Sequence, residues 1–268
     1  MTFTGSKGQA GVFQRIIGQM RPHRLYVEPF AGRARVCFEK LPARHTILID
    51  VDKKRIAKID AAVRSARNGA AAGGSAGNGV SGHVDTIVGD AFEWLPKIAK
   101  LVNYHPLKPA VVYVDPPYLL STRNHRRYYE HELTEDQHAR LLTLLQALPC
   151  DVLLSGYPSK LYSSRLKKWR CITYRTRTRG STVTECLWCN FPEPTELHDW
   201  RYAGQNFRQR VSFGRQATRW LARLNRMPAR KRGYLLDAIS QRYFQRVAPS
   251  EFSRELSARQ PVVADEMH

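Results

Sequence analysis

Hydrophobic positions along the chain alternate between two periods, and the alternation lays out the elements. Val12, Phe13, Ile16, Ile17 and Met20 recur at helical spacing within Ala10–Met20, and Arg21-Pro22 closes that helix. Short apolar, β-rich runs follow at Leu25–Phe30, Thr46–Val51, Val84–Asp90, Val111–Val114, Asp151–Tyr157, Trp169–Thr176 and Thr184–Asn190. Helical stretches separate the early runs, at Lys53–Arg67, at Phe92–Val102 and after Thr134, where Thr134-Glu-Asp-Gln137 spells a capping box ahead of Leu141, Leu142, Leu145 and Leu148. Strands alternating with helices predict an α/β fold on a mostly parallel sheet of seven strands.

The fourth run carries the most specific chemistry. Val111-Val112-Tyr113-Val114 is uninterrupted, as in a strand buried on both faces, and it stops at Asp115-Pro116-Pro117-Tyr118. Prolines cannot continue a ladder, so the backbone turns out rigidly at the strand's carboxyl end, where open α/β sheets place their ligands. Asp115 offers a carboxylate, Pro116 a carbonyl and Tyr118 a flat ring. Two acceptors and a stacking face suit a planar group with an exocyclic amine, such as adenine; a core tyrosine after a Pro-Pro turn is the plainer reading.

Other strand ends add to this. Leu25–Phe30 runs into Ala31-Gly32-Arg33-Ala34 and a second helix, a small-residue turn through which backbone can approach a nucleotide. Asp50 ends the second strand about twenty residues on, the spacing at which an acid accepts from a ribose hydroxyl. Capping the helix Lys53–Arg67 is the other role open to it. Gly89-Asp90-Ala91-Phe92 puts a third acid at a strand end.

Composition then narrows the partner. Lys plus Arg number 43 against 23 Asp plus Glu, a net charge of +20, which favours a polyanion and, among polyanions, nucleic acid. No apolar run reaches the roughly 20 residues that span a bilayer, and the N-terminal residues lack a signal-peptide pattern. Five scattered cysteines fit a reducing cytoplasm. Cys186 and Cys189 have metal-type spacing but lie in a strand, where positions three apart face opposite sides; packing is the preferred role, and no metal site is expected.

Two stretches stand apart. Residues 65–82 are rich in Gly, Ala, Ser and Asn and read as a flexible surface insert. From Thr195 the chain becomes Arg-rich, with two helices expected: Phe207–Asn225, holding Val211, Trp220, Leu221 and Leu224 inward, and one opened by Pro228. The expected division is a catalytic domain over residues 1–194 and a small basic helical appendage over 195–268. Candidate nucleic-acid contacts are Arg123, Arg126, Arg127 and Tyr128 beside the fourth strand, and Arg208, Arg215, Arg219 and Arg226 in the appendage.

Glu28-Pro29-Phe30-Ala31-Gly32, Asp50, Asp90, Asp115-Pro-Pro-Tyr118 and Ser155-Gly156-Tyr157, in that order, resemble the S-adenosylmethionine-dependent DNA adenine-N6 methyltransferases, the Dam-like D12 class common in phages and prophages. The likeness covers Gly5 through about Asn190, and Thr184–Asn190 is similar to that group's terminal hairpin strand. It implies a Rossmann-like class I methyltransferase sheet with one antiparallel strand, double-stranded DNA as partner, and base flipping in a DNA-modification setting. It implies S-adenosyl-L-methionine contacts from Lys7, Glu28, Pro29, Phe30, Ala31, Gly32, Asp50, Val51, Asp90, Ala91, Phe92 and Asp115, and makes Asp115, Pro116, Pro117 and Tyr118 the catalytic tetrapeptide. Ala34 stands where the family's turn carries a second glycine, and the long recognition insert of larger members is absent before the fourth strand. An RNA adenine methyltransferase and a non-catalytic DNA-binding protein on the same scaffold are the alternatives.

Overall fold

The computed structural model describes residues 11–71, 82–103, 108–123, 130–177 and 182–244. Seven strands form one sheet: β1 (Leu25–Glu28), β2 (His45–Asp50), β3 (His83–Val88), β4 (Ala110–Val114), β5 (Asp151–Gly156), β6 (Arg170–Arg177) and β7 (Thr182–Cys189). Their order is β3-β2-β1-β4-β5-β7-β6, with β7 antiparallel to both of its neighbours and the remaining pairs parallel. This is a doubly wound, Rossmann-like sheet of seven strands with one of them reversed. All seven expected strands exist, with ends shifted by one or two residues.

The helices α1 (Val12–Ile17), α2 (Arg35–Glu39), α3 (Lys53–Ala71), α4 (Ala91–Val102), α5 (Glu135–Gln146) and α6 (Lys160–Arg165) cover the two faces. One apolar layer joins Val12, Ile16, Ile17 and Ile59 to Val111, Tyr113 and Leu187. The other joins Leu95, Ile98, Leu141 and Leu145 to Val112, Val114 and Trp188. Successive side chains of a strand point to opposite faces, so the unbroken apolar run of β4 feeds both layers in turn. Ala110–Val114 are all buried, each larger side chain stabilising the fold by about 1.5–3 kcal/mol. Cys186 falls in one layer and Cys189 in the other, and all five cysteines are free thiols. The Thr134 capping box is present, with both reciprocal hydrogen bonds formed.

Three expectations are corrected. The insert does not begin at Ser65: α3 continues to Ala71, since alanine sustains a helix as readily as it populates a loop; residues 72–81 lie outside the described residues. The chain parts into two compact units between Arg210 and Val211, later than the boundary expected after Pro194. Residues just past that boundary belong with the sheet because Asp199, fully buried, accepts hydrogen bonds from the Leu41 N–H at 3.1 Å and from the Arg201 side chain. Lastly, α7 (Phe207–Asn225) and α8 (Ala229–Ile239) bury none of their residues, and Trp220 and Leu221 are each 60% exposed rather than inward. Helical periodicity marks an apolar stripe without saying what covers it. No described helix is long and apolar enough to cross a membrane.

Candidate active site

Reversal of the strand order between β1 and β4 creates a crevice outside their carboxyl ends. The turn after β1 lines one side of it and Asp115–Tyr118 the other. Gly32 has φ +54° and Ala34 φ 49°, so the chain enters α2 through two left-handed residues. At Gly32 this conformation is free of side-chain strain, and an added Cβ would meet nothing within 4 Å, leaving that face of the turn open. At Ala34 a fully buried methyl group occupies a conformation that glycine adopts more easily.

Asp50 braces this turn from β2. Its Oδ2 accepts from the Gly32 N–H at 2.8 Å and its Oδ1 from the Asp52 N–H at 2.9 Å. Helix α3 is opened instead by Asp52, whose Oδ1 accepts from the Lys54 and Arg55 N–H groups, so Asp50 is not the cap. Val51, next to it, is 43% exposed at the strand end. Asp90 caps α4 through the Phe92 N–H at 2.8 Å while remaining exposed; Ala91 and Phe92 are buried beneath it. At Gly89 an added Cβ would lie 2.4 Å from the Trp94 indole nitrogen, so a larger residue would displace that ring.

Glu28 is aimed differently from its expected role. Its carboxyl is buried, accepting from the Tyr26 hydroxyl and, at 3.1 Å, from the Cys37 N–H. Burial, with the negative charge of Asp115 nearby, pushes its pKa up to about 8 despite those hydrogen bonds. Lys40, also buried, sits 4.3 Å from the centre of the Tyr26 ring, and burial lowers its pKa to about 8. Pro29 and Ala31 are buried beside Glu28, and Phe30 is half-buried. Periodicity could not show this interior acid, since a strand-end carboxyl reads the same whichever way it points.

Across the crevice Asp115 is half-buried, Pro116 buried, Pro117 half-buried and Tyr118 8% exposed. The Tyr118 ring stands edge-on to Tyr157, which follows β5, at 4.6 Å between centroids and 69° between planes. Its hydroxyl points to Glu185 of β7 at 3.5 Å. Sequence reasoning had not singled out Glu185; the signal was an acid inside a strand otherwise alternating between two apolar layers.

Arg123 needs correction as a nucleic-acid contact. Its guanidinium forms a two-pronged ion pair with Glu132, one bond 3.0 Å long, and its side chain is only 4% exposed. A guanidinium so enclosed joins the two ends of the loop rather than meeting phosphate. Lys7, Arg126, Arg127 and Tyr128 lie outside the described residues. Arg208, Arg215, Arg219 and Arg226 are exposed on α7 and just after it.

Among the described residues, His45, His83 and Asp85 could hold a metal ion. Asp85 bridges the two imidazole Nε2 atoms at 2.7 and 3.0 Å. His45 and His83 open β2 and β3, at the opposite strand ends from the acids, so this grouping is separate from the crevice.

Residues 99–175 match the model of the D12 class N6 adenine-specific DNA methyltransferase family. The matched segment runs from the end of α4 into β6 and contains the whole of Asp115–Tyr118 and Tyr157, part of the stretch over which the sequence resembles that family. No curated protein matches the chain. Solved structures similar to it include TrmK of M. capricolum in complex with S-adenosyl-homocysteine (9% identity, 86% of this chain and 94% of that one, TM-score 0.42). A conserved hypothetical protein of Streptococcus pyogenes shows 12% identity over 69% of this chain and 98% of that one, with TM-score 0.40. The magnesium protoporphyrin IX methyltransferase of Synechocystis, solved with bound SAM, shows 12% identity over 67% and 75%, with TM-score 0.37.

Proposed function

We propose that the protein transfers a methyl group from S-adenosylmethionine to the exocyclic N6 of adenine in DNA, with the target base turned out of the duplex. The observation that carries this reading is Asp115-Pro116-Pro117-Tyr118 at the carboxyl end of β4, facing an open turn across the crevice and lying inside the matched segment.

S-adenosylmethionine supplies a sulfonium-activated methyl group when bound. The residues present fit it: the open turn at Gly32 admits close approach, the lone pairs of Asp50 not used by Gly32 and Asp52 suit ribose hydroxyls, and the exposed Asp90 suits the purine edge.

The amine nitrogen of adenine is a poor nucleophile because its lone pair is delocalised into the ring. Hydrogen bonds from that amine to the Asp115 carboxylate and the Pro116 carbonyl favour a tetrahedral nitrogen and so localise the lone pair. Fixed acceptors at the end of a rigid strand need no reorganisation, and holding the reacting atoms in line supplies most of the remaining acceleration. The Tyr118 ring offers a stacking face to a base lifted from its helix. The exposed arginines of α7 suit phosphates, and net charge +20 draws DNA to the protein.

The test is methyl incorporation from labelled S-adenosylmethionine into duplex DNA and structured RNA by the purified protein. Label in N6-methyladenine of the duplex is expected. Label confined to RNA, or absent from both, overturns the proposal.

A further inference from the structure

Glu185 breaks a pattern. Along β7 the side chains of Cys186, Leu187, Trp188 and Cys189 go alternately to the two apolar layers, and Glu185 shares the face of Leu187. An apolar residue would continue that face. Instead Glu185 stands there only 8% exposed, a costly placement for a carboxylate unless its oxygens are used.

They are used by three hydroxyl groups. Oε2 accepts from Tyr118 at 3.5 Å and from Tyr174, its cross-strand partner on β6, at 3.3 Å; Oε1 accepts from Thr176 at 3.3 Å. These are long for hydroxyl donors, and contacts of this kind tighten when a site fills. The Tyr118 ring is therefore held twice, by the edge-on ring of Tyr157 and by its hydroxyl on Glu185.

We infer that Glu185 is a positioning residue for the target base: by tethering the Tyr118 hydroxyl to the β6–β7 hairpin, it fixes the ring as one wall of the base pocket. This rests on the proposed adenine methyl transfer. A tyrosine pivoting freely about its side-chain torsions would stack on a base only part of the time, and stacking on an aromatic ring is a principal contact to an unpaired base. Thr176 and Tyr174 brace the carboxylate, so the hairpin forms part of the base site while staying clear of the reacting atoms.

The experiment is a double-mutant cycle between Tyr118→Phe, which keeps the ring and deletes the tether, and Glu185→Gln. Genomic DNA lacking adenine methylation is the substrate, and N6-methyladenine counted by mass spectrometry is the readout. Each single change should lower kcat/KM by roughly tenfold or more, within the range of a lost stacking contact. The double variant should be no worse than the weaker single one, and S-adenosylmethionine affinity by calorimetry should stay unchanged. Thr176→Val, which removes one brace, should give a smaller loss in the same direction and stands in if Glu185→Gln fails to fold. Losses that multiply in the double variant, or full activity in Glu185→Gln, overturn the inference. Wild-type protein that makes no N6-methyladenine overturns the underlying reaction assignment, and the inference with it.

Discussion

Replacing Asp50 by alanine tests how the cofactor turn is held. The side chain accepts two backbone N–H groups, from Gly32 and Asp52, and is 8% exposed; Arg55 lies 3.9 Å from the same carboxylate. A hydrogen bond to a charged acceptor contributes about 1.5–3 kcal/mol, and water can replace part of it at the half-buried Gly32, so roughly 2–4 kcal/mol should be lost. At about 2–4 °C per kcal/mol for a domain near this size, that is a fall in melting temperature of roughly 4–16 °C. Asp50→Asn keeps one acceptor and should lose about half as much. Calorimetry gives the melting temperature, and isothermal titration should show S-adenosylmethionine binding weakened by roughly 1–3 kcal/mol in Asp50→Ala. If the alanine variant melts and binds like the wild type, Asp50 neither braces the turn nor meets the ribose.

Further outcomes follow from the same geometry. Arg123→Ala leaves Glu132 enclosed without its partner and should destabilise by about 3 kcal/mol in denaturant unfolding, whereas unchanged stability with weakened DNA binding would restore a phosphate-contacting role. Glu28 titrates near 8 in the folded state against an ordinary 4.5, so its stabilising effect is complete below 4.5 and is lost as pH rises through about 8. Glu28→Gln, which cannot ionise, should flatten the fall in melting temperature across that window, and an unchanged slope would assign the titration to another group. Lys40, lowered to about 8, contributes an opposite slope only above that pH, since its burial favours the neutral form. Removing the residues after Arg210 should raise the DNA dissociation constant by roughly tenfold or more and lower its salt dependence, because the arginines of the second unit release counterions; equal affinity and slope would place the contacts on the sheet unit.

What the sequence disclosed follows the physics of each element. Buried parallel strands are legible because both faces demand apolar side chains, which is why Val111–Val114 stood out and the prolines after it marked the strand's end. The acids at four strand ends, Glu28, Asp50, Asp90 and Asp115, were legible as positions but not as directions. Asp50 and Asp90 remain at the crevice, while Glu28 turns inward to Tyr26 and Cys37, a choice set by tertiary packing. Arg123 looked like one more cation in a basic loop, because its partner Glu132 lies across the loop and periodicity carries no information about such closure. The α7 stripe was correctly seen as apolar, yet amphipathicity names a face and not its cover. Glu185 could have been found as an acid interrupting a strand of alternating core residues; only the structure shows three hydroxyls converging on it.

If Asp115 directs methyl transfer to adenine, DNA from a cell that makes the protein carries the record. A host lacking adenine methylation expresses either the wild-type protein or Asp115→Ala, and its genomic DNA is digested to nucleosides for mass spectrometry. N6-methyladenine is expected with the wild type and none above background with Asp115→Ala. Absence of the modified base from wild-type samples, or equal amounts from both, would contradict that role for Asp115.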